Sequence, residues 1–468
     1  MTMFNTNPIL RVDSYKFSHH NLYPPGTTHI NSYIEARGGA FDRALFFGAQ
    51  VFLKSVLSQL VTEAHVTEAE AVATAHGLPF NRAGFDRLVR THGGAWPVVI
   101  EAVREGTVLP VQNVLLQIRN TDPEMPWVTS FLETALLRAI WYPTTVATVS
   151  YTAKRMILQA LKDSSDDPAG QILFKLHDFG ARGVSSAESA ALGGMAHLVN
   201  FRGTDTVEAL IAARNFYGAD MAGFSIPAME HSTVTSWGRK GESAAYENML
   251  DQYGKPGSLL ACVSDSYDIW NAVSNIWGDE LRQKVLSSGA TVVVRPDSGD
   301  PLTVPVQVIE ALGERFGHTV NNRGYRVLPS AVRVIQGDGI TIDSIPHILK
   351  NVMQAGWSVD NLAFGMGGGL LQQVNRDTMK FAMKANAMCI GGEWQDVYKD
   401  PVTDPGKTSK RGVLSLTRSS GIGNSRWSTV RRAALQIGET EYLQPVWQNG
   451  ELLVDQTFEQ VRAASELP

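Results

Sequence analysis

Cysteine is nearly missing: Cys262 and Cys389 are the only two in 468 residues, too few for a disulfide framework or a four-thiolate zinc site. No run of 18 apolar residues occurs, so no segment reads as a membrane-spanning helix. The opening stretch, MTMFNTNPILRVDSYKFSHH, lacks the unbroken apolar core of a secretory signal. Basic excess is missing too. Lys and Arg number 41 against 46 Asp and Glu, a net charge of −5, which argues against a polybasic nucleic-acid binder or a membrane-surface protein and leaves room only for a local basic pocket. There is no GxxxxGK[ST] loop, GxSxG elbow, HExxH pair or strand–GxGxxG–helix fingerprint, so the chemistries those motifs carry are set aside. These absences predict a soluble, cytoplasmic, globular protein.

The composition, 44% hydrophobic and 19% charged, supports a sizeable core. The length predicts about three domains, or one large barrel with additions. Among the first 150 residues, HINSYIEAR (29 to 37), WPVVIEAV and TVLPVQNVLLQI read as strands and LFFGAQVFLKSVLSQL (45 to 60) as a helix. From about residue 170 short apolar runs recur with the character of buried parallel strands: ILFKL (172 to 176), LLACV (259 to 263), TVVVR (291 to 295), VRVIQ (332 to 336) and LAF (362 to 364). Amphipathic helices follow. Asp300 with Pro301 starts one bearing Val304, Val308, Ile309 and Leu312. Ser344 starts another bearing Ile345, Ile348, Leu349, Val352 and Met353, ended by Gly356. Ser185 and Glu188 form a capping box before a third. Strand-then-helix units predict a parallel sheet, closed as a barrel or doubly wound.

Chemistry-bearing residues stand just past these strands. His177, Asp178, Phe179, Gly180 and Arg182 follow the first, Ser264 and Asp265 the second, Arg295 and Asp297 the third, Gly337 and Asp338 the fourth, Gly365 and Gly367 to Gly369 the fifth. Parallel-sheet enzymes place their sites at that end of the strands. Gly367, Gly368 and Gly369 suit a nest of amides around a phosphate, or a simple tight turn. Arg182, Arg295, Arg376 and Lys384 supply cationic donors for phosphates, or surface ion pairs. Asp297 and Asp338 suit sugar hydroxyls, Mg²⁺ held through water, or helix caps. His231, beside Glu230, suits a phosphoryl acceptor or an acid/base, or a structural histidine. Phe179 either packs in the core or faces a flat ring. Several phosphates on one substrate account for the set as a whole.

Nine blocks carry a resemblance as well: VDSYKFSHHNLYPPGTTHINSYIEAR, KLHDFGARGVSS, LVNFRGTDTV, SIPAMEHSTVTSWG, VSDSYDIWNA, VVRPDSGDPL, RVIQGDGI, AFGMGGGLLQ and YKDPVTDP. In this order, from about residue 8 to about residue 460, they resemble the nicotinamide phosphoribosyltransferase family of type II phosphoribosyltransferases. The resemblance implies an α/β fold: an irregular (β/α) barrel over 151–385, with an additional α/β region in which an N-terminal segment, 1–150, is completed by a C-terminal one, 386–468. It implies a homodimer with sites at the interface, and transfer of the phosphoribosyl group of phosphoribosyl pyrophosphate to nicotinamide, with Mg²⁺ bound mainly through substrate phosphates and water, and ATP as auxiliary substrate. Phe179 and the partner subunit's Tyr15 would sandwich the pyridine ring, and Asp205 would accept a hydrogen bond from the carboxamide. Arg295 and Asp297 would contact ribose and phosphates. Gly337, Asp338, Gly367, Gly368, Arg376 and Lys384 resemble the mononucleotide cradle. Arg37, Arg182, His231, Arg295, Lys399 and Lys407 resemble the diphosphate site. His231 is similar to the histidine that family members phosphorylate, with Asp265 orienting it; His231, Asp265 and Asp297 are thus the catalytic candidates. The family can place a serine near Lys384, but Ala382 and Met383 stand here and offer no hydroxyl.

The reaction so implied needs little covalent help. Charge of oxocarbenium type develops at the anomeric carbon as pyrophosphate departs and the ring nitrogen attacks the opposite face, so orientation and stabilisation of the phosphates dominate. Two other readings remain open at this point: a nicotinate phosphoribosyltransferase, which the Asp205 charge disfavours, and a catalytically silent nucleotide-binding dimer.

Overall fold

The structure, a computed structural model, describes residues 7–419, 426–436 and 438–466. The chain divides into two compact units. The first takes the described residues up to Thr148, Asn215–Gly218 and Asn375–Glu466; the second takes Val149–Arg214 and Ala219–Val374. The return to the first unit thus falls at 374/375 rather than near 385, which leaves Arg376 and Lys384 with the first unit.

The first unit is built on a seven-stranded sheet in the order Glu393–Asp396, Ala382–Ile390, Thr27–Glu35, Val114–Asn120, Val98–Ala102, Gln444–Gln448, Glu451–Leu452, every neighbouring pair antiparallel. Strands from both ends of the chain therefore share one sheet. Val98–Ala102 buries alternate side chains, the period of a strand with one face on the core. An aromatic cluster fills the adjoining core; the Phe85 and Trp127 rings meet edge to face at 4.8 Å. TVLPVQNVLLQI forms two strands rather than one, Val108–Pro110 and Val114–Asn120, because Gln112 between them takes a left-handed φ of 66°. The helix expected over 45 to 60 is shorter, Ala49–Phe52 continuing as a wider turn through Leu57.

Six parallel strands form the sheet of the second unit, in the order Gly203–Thr204, Leu176–Asp178, Leu362–Met366, Val332–Gln336, Thr291–Arg295, Leu259–Val263. Val292, Val293 and Val294 are all buried, as expected of a strand covered on both faces. An irregular segment ties the two edges of this sheet. At one end Phe224 N donates to Arg202 O (2.7 Å) and Thr204 N to Phe224 O (3.0 Å); at the other Met229 N donates to Ala261 O (2.8 Å) and Ala261 N to Pro227 O (2.9 Å). Helices Val304–Phe316 and Ser344–Gln354 bury Val308, Ile309 and Leu312, and Ile345, Ile348, Leu349 and Val352, the faces the sequence period predicts.

Three local expectations are corrected. ILFKL is not a strand: Ile172 ends the helix Pro168–Ile172 and the strand is Leu176–Asp178. A short apolar run does not distinguish a helix end from a strand start. The cap of helix Ala187–Leu198 is Ser186, whose hydroxyl accepts from Ser189 N at 3.0 Å, one residue after the expected Ser185. Asp300 uses its carboxylate on Leu302 N and the Thr303 hydroxyl, so Pro301 stays in a turn and the helix begins at Val304.

In the first unit the buried Asp122 carboxylate bonds Arg87 Nε and His92 Nε2, both at 2.7 Å, and the Glu124 amide at 2.9 Å. Burial alone would raise its pKa; these partners overcome burial and hold it at about 2. A carboxylate held below its ordinary value of ~4 contributes stability that is complete above that value and is lost as pH falls toward the folded one. Asp122→Asn is expected to cost about 2 kcal/mol at pH 6, with the difference from wild type shrinking between pH 4 and pH 2; urea unfolding across that range is the measurement.

Candidate active site

The carboxyl ends of the parallel strands open on a cavity of about 600 Å³ lined by Phe179, Arg182, Asp205, Glu230, Arg295, Asp297, Gly337, Asp338, Gly367 and Gly368 among others. A larger groove of about 880 Å³ runs between helix Glu133–Ser164 and helix Ser344–Gln354. Ionisable and glycyl groups from five strand ends converge only on the smaller cavity, and convergent polar groups mark a site better than volume does.

Phe179 is placed by its backbone. Its N–H donates to Met366 O at 3.1 Å, and the buried Asp178 before it accepts from Gly180 N (2.7 Å) and the Thr204 hydroxyl (3.0 Å), which fixes the turn. The ring then lies over two glycines. A Cβ on Gly365 would fall 1.9 Å from Phe179 Cε2, and one on Gly337 3.3 Å from the same atom. No other residue at 365 leaves room for the ring. The His177 imidazole lies 5.1 Å from it, tilted by 50°.

Asp205 opens the next strand end. Its Oδ1 accepts from His177 Nε2 at 2.9 Å and from the Ser225 hydroxyl. Burial tends to raise its pKa, but the His177 bond and charge, the Ser225 hydroxyl and the Arg295 charge together lower it, so it is ionised near neutral pH.

Asp265 organises the opposite side. Its Oδ1 meets His231 Nε2 at 3.1 Å, while Oδ2 accepts from Asp297 N at 2.9 Å and from the Ser298 hydroxyl. One carboxylate thereby orients an exposed imidazole and pins the loop that carries Asp297. His231 Nδ1 lies 3.9 Å from Asp297 Oδ2. Arg295 reaches Asp297 Oδ2 through Nη2 at 3.4 Å, yet its buried Nε–H has no hydrogen-bond partner among the described residues. A buried unpaired guanidinium donor is costly unless a ligand meets it.

The remaining sequence candidates belong to the first unit. Tyr15 presents a half-exposed ring, with the Lys16 ammonium 5.3 Å from its centroid; Lys16 is buried and pairs with Glu133. Arg37 Nε donates to Lys380 O at 3.2 Å, Arg376 contacts Asp377 at 3.4 Å, and Lys407 pairs with Asp404 at 3.0 Å. Lys399 donates its amide to the Ser409 hydroxyl at 2.8 Å. The Lys384 amine donates to Met383 O at 2.8 Å. Its pKa is lowered, first by burial and then by the charges of Arg37, Lys399 and Lys16, against the opposing pull of Glu133. Sequence reasoning gave no role to His177, Gly365 or Ser225. The first two stand in the strand-end clusters, whereas Ser225 lies in the irregular edge segment, where no period marks it.

Residues 174–449 match the model of the nicotinate phosphoribosyltransferase (NAPRTase) family, and residues 7–100 match that of the nicotinamide phosphoribosyltransferase N-terminal domain. The chain is 54% identical over 461 residues to a nicotinamide phosphoribosyltransferase of Xanthomonas campestris pv. campestris, covering 98% of each. It is 30% identical to one of Acinetobacter baylyi, covering 98% of this chain and 97% of that one. Among solved structures it is similar to the nicotinate-nucleotide pyrophosphorylase of Pyrococcus furiosus (TM-score 0.64, 15% identity, 99% of this chain and 96% of that one). It is also similar to human nicotinic acid phosphoribosyltransferase (TM-score 0.57, 19% identity, 97% and 92%). At these identities the structural likeness is one of fold.

The contact at Gly365 generates a prediction. Gly365→Ala is expected to expel the Phe179 ring and to cost about 1–3 kcal/mol, the usual penalty for overpacking, measured by urea unfolding, with a crystal structure of the variant showing the ring displaced.

Proposed function

The chain belongs to the nicotinamide phosphoribosyltransferase family, and from that premise we propose that it transfers the phosphoribosyl group of phosphoribosyl pyrophosphate to nicotinamide, giving nicotinamide mononucleotide and pyrophosphate. The observation that carries this reading is one cavity lined by Phe179, the ionised Asp205 and Arg295, each at the carboxyl end of a strand of the parallel sheet. An aromatic face, an acceptor for an amide N–H and a donor for phosphate are the three recognitions the substrates require.

The pyridine ring stacks on Phe179, with its carboxamide N–H donated to Asp205. The partner subunit's Tyr15 supplies the second face in a homodimer. Arg182, Arg295 and the amides at Gly367 and Gly368 face the phosphates; Asp297 and Asp338 face the ribose hydroxyls. Arg37, Arg376, Lys384, Lys399 and Lys407 add cationic donors for the phosphates. The neutral pyridine nitrogen is already nucleophilic, so positioning and stabilisation of the leaving diphosphate do most of the work. Mg²⁺ suits the carboxylate oxygens of Asp297 and Asp338. No group of three or more metal-ligating side chains gathers among the described residues, so substrate phosphates and water would complete its shell. When bound it offsets charge on the departing diphosphate. The irregular (β/α) barrel is the closed form of the parallel sheet, with the segment 224–229 joining its edges. In a cytoplasmic setting the two buried thiols, Cys262 and Cys389, would stay reduced.

ATP is the auxiliary substrate. His231 Nε2–H donated to Asp265 leaves the lone pair on Nδ1, which takes the γ-phosphoryl group as ADP leaves; water later releases phosphate. Nicotinate phosphoribosyltransferase is the competing reading, and the charge on Asp205 opposes it, since a carboxylate substrate would face a carboxylate.

Incubation of the purified protein with nicotinamide, phosphoribosyl pyrophosphate and Mg²⁺ tests the reading, with the mononucleotide as expected product; none at saturation would favour a silent dimer. Asp205→Asn is expected to lower the kcat/KM preference for nicotinamide over nicotinate at least tenfold, about 1.4 kcal/mol, in steady-state assays with both acceptors. His231→Ala is expected to abolish ATP hydrolysis and leave a slow basal transfer; retained hydrolysis would remove His231 from that role.

A further inference from the structure

The Asp205 carboxylate is used unequally. Both donors the protein offers it, His177 Nε2 at 2.9 Å and the Ser225 hydroxyl, go to Oδ1. Oδ2 accepts no hydrogen bond among the described residues, and Asp205 lines the cavity. The two donors come from different places. His177 stands in the strand Leu176–Asp178, its ring close enough to the neighbouring strand that a Cβ on Gly203 would lie 2.6 Å from Nδ1. Ser225 is carried by the irregular segment whose bonds to Arg202 and Thr204 on one side, and Ala261 on the other, tie the sheet edges. The Asp205 backbone is held as well, its N–H donating to Asp178 O at 3.0 Å. Neither donor contributes to binding phosphate, and the resemblance assigned neither a role.

We propose that His177 and Ser225 are positioning residues that saturate one oxygen of Asp205 and leave the other as its one acceptor for a ligand in the cavity, and so set the preference for an uncharged carboxamide over a carboxylate. This rests on the reading of Asp205 given above. Two effects act in the same direction. A carboxylate with one oxygen locked cannot turn to share both oxygens, so a ligand must bring an N–H to one fixed point. Donors on Oδ1 also stabilise the ionised form. Without them Asp205 holds a proton more readily, and a protonated carboxyl donates to the carboxylate of nicotinate as well as it accepts from an amide. The groups that face Asp205 are few: His177 and Ser225 in contact, with the Arg295 charge beyond.

Ser225→Ala removes one donor without touching Phe179 or any phosphate-facing group, and His177→Ala removes the other. The kcat/KM ratio of nicotinamide to nicotinate is expected to fall about tenfold in each, the size of one hydrogen bond to a charged group, while KM for phosphoribosyl pyrophosphate stays within twofold of wild type. His177→Gln, whose amide nitrogen reaches toward the position of Nε2, is expected to restore most of the ratio lost in His177→Ala. A purely structural role would lower kcat with both acceptors alike and leave the ratio unmoved. An unchanged ratio in both alanine variants overturns the inference. Asp205→Asn separates the two levels: if it shifts the ratio while Ser225→Ala and His177→Ala do not, only the positioning role fails; if Asp205→Asn is also silent, the reading of Asp205 itself fails.

Discussion

The site depends on one stretch of backbone that is neither helix nor strand. Between Phe224 and Met229 the chain bonds to Arg202 and Thr204 at one edge of the parallel sheet and to Ala261 at the other. It leaves two edges that would otherwise lack partners for their N–H and C=O groups with at least some of those groups bonded. The same stretch delivers function in register with those bonds. Ser225 follows the residue anchored at the first edge, and Glu230 with His231 follows the residue anchored at the second. Ser225 thus reaches Asp205 and His231 reaches Asp265 because both ends of one short segment are fixed to the sheet. A side chain held this way loses little freedom when a ligand arrives, which is the condition for orienting a reaction rather than merely binding its substrates.

Backbone exclusion places the aromatic face. Phe179 rests where side chains are missing, over Gly365 and Gly337. Gly365 lies on the strand Leu362–Met366 and Gly337 directly follows the adjacent strand Val332–Gln336, so the ring covers backbone directly and lines the cavity. The carboxylates show a similar economy. Asp178 fixes the turn before Phe179, Asp205 is turned by its neighbours toward the cavity, and Asp265 joins an imidazole to the loop of Asp297. Each carboxylate is committed on at least one oxygen to a protein donor, which limits the directions in which it can serve a ligand.

Much of this was legible in the chain before any coordinates. LLACV, TVVVR and VRVIQ coincide with their strands, because short apolar runs bounded by polar residues suit strands buried in a parallel sheet. The polar clusters after them converge because parallel strands share an end. Less was legible where tertiary contacts override local pattern. The run ILFKL includes Lys175, whose buried amine donates to the carbonyls of Val359, Asp360 and Leu362; that demand, invisible locally, shifts the strand to Leu176–Asp178. Glycines announce flexibility in a sequence, whereas Gly365 matters for a ring that another strand brings to it. Ser225 carries no sequence signal, since its partner Asp205 lies 20 residues away and no secondary-structure period links them.

The cationic residues of the first unit extend the same reasoning to charge. Lys384 feels the like charges of Arg37, Lys399 and Lys16 and the opposite charge of Glu133, and its pKa is lowered, first by burial and then by the like charges against the pull of Glu133. Like charges gathered around a buried amine destabilise the folded chain and are not explained by packing. An anion bound among them would offset that repulsion and convert it into shared attraction. The gain from such an anion grows with its charge, so a diphosphate relieves the cluster more than a monophosphate does. Under the proposed function the diphosphate would supply that anion, by electrostatics separate from the aromatic and amide recognition proposed for the other unit.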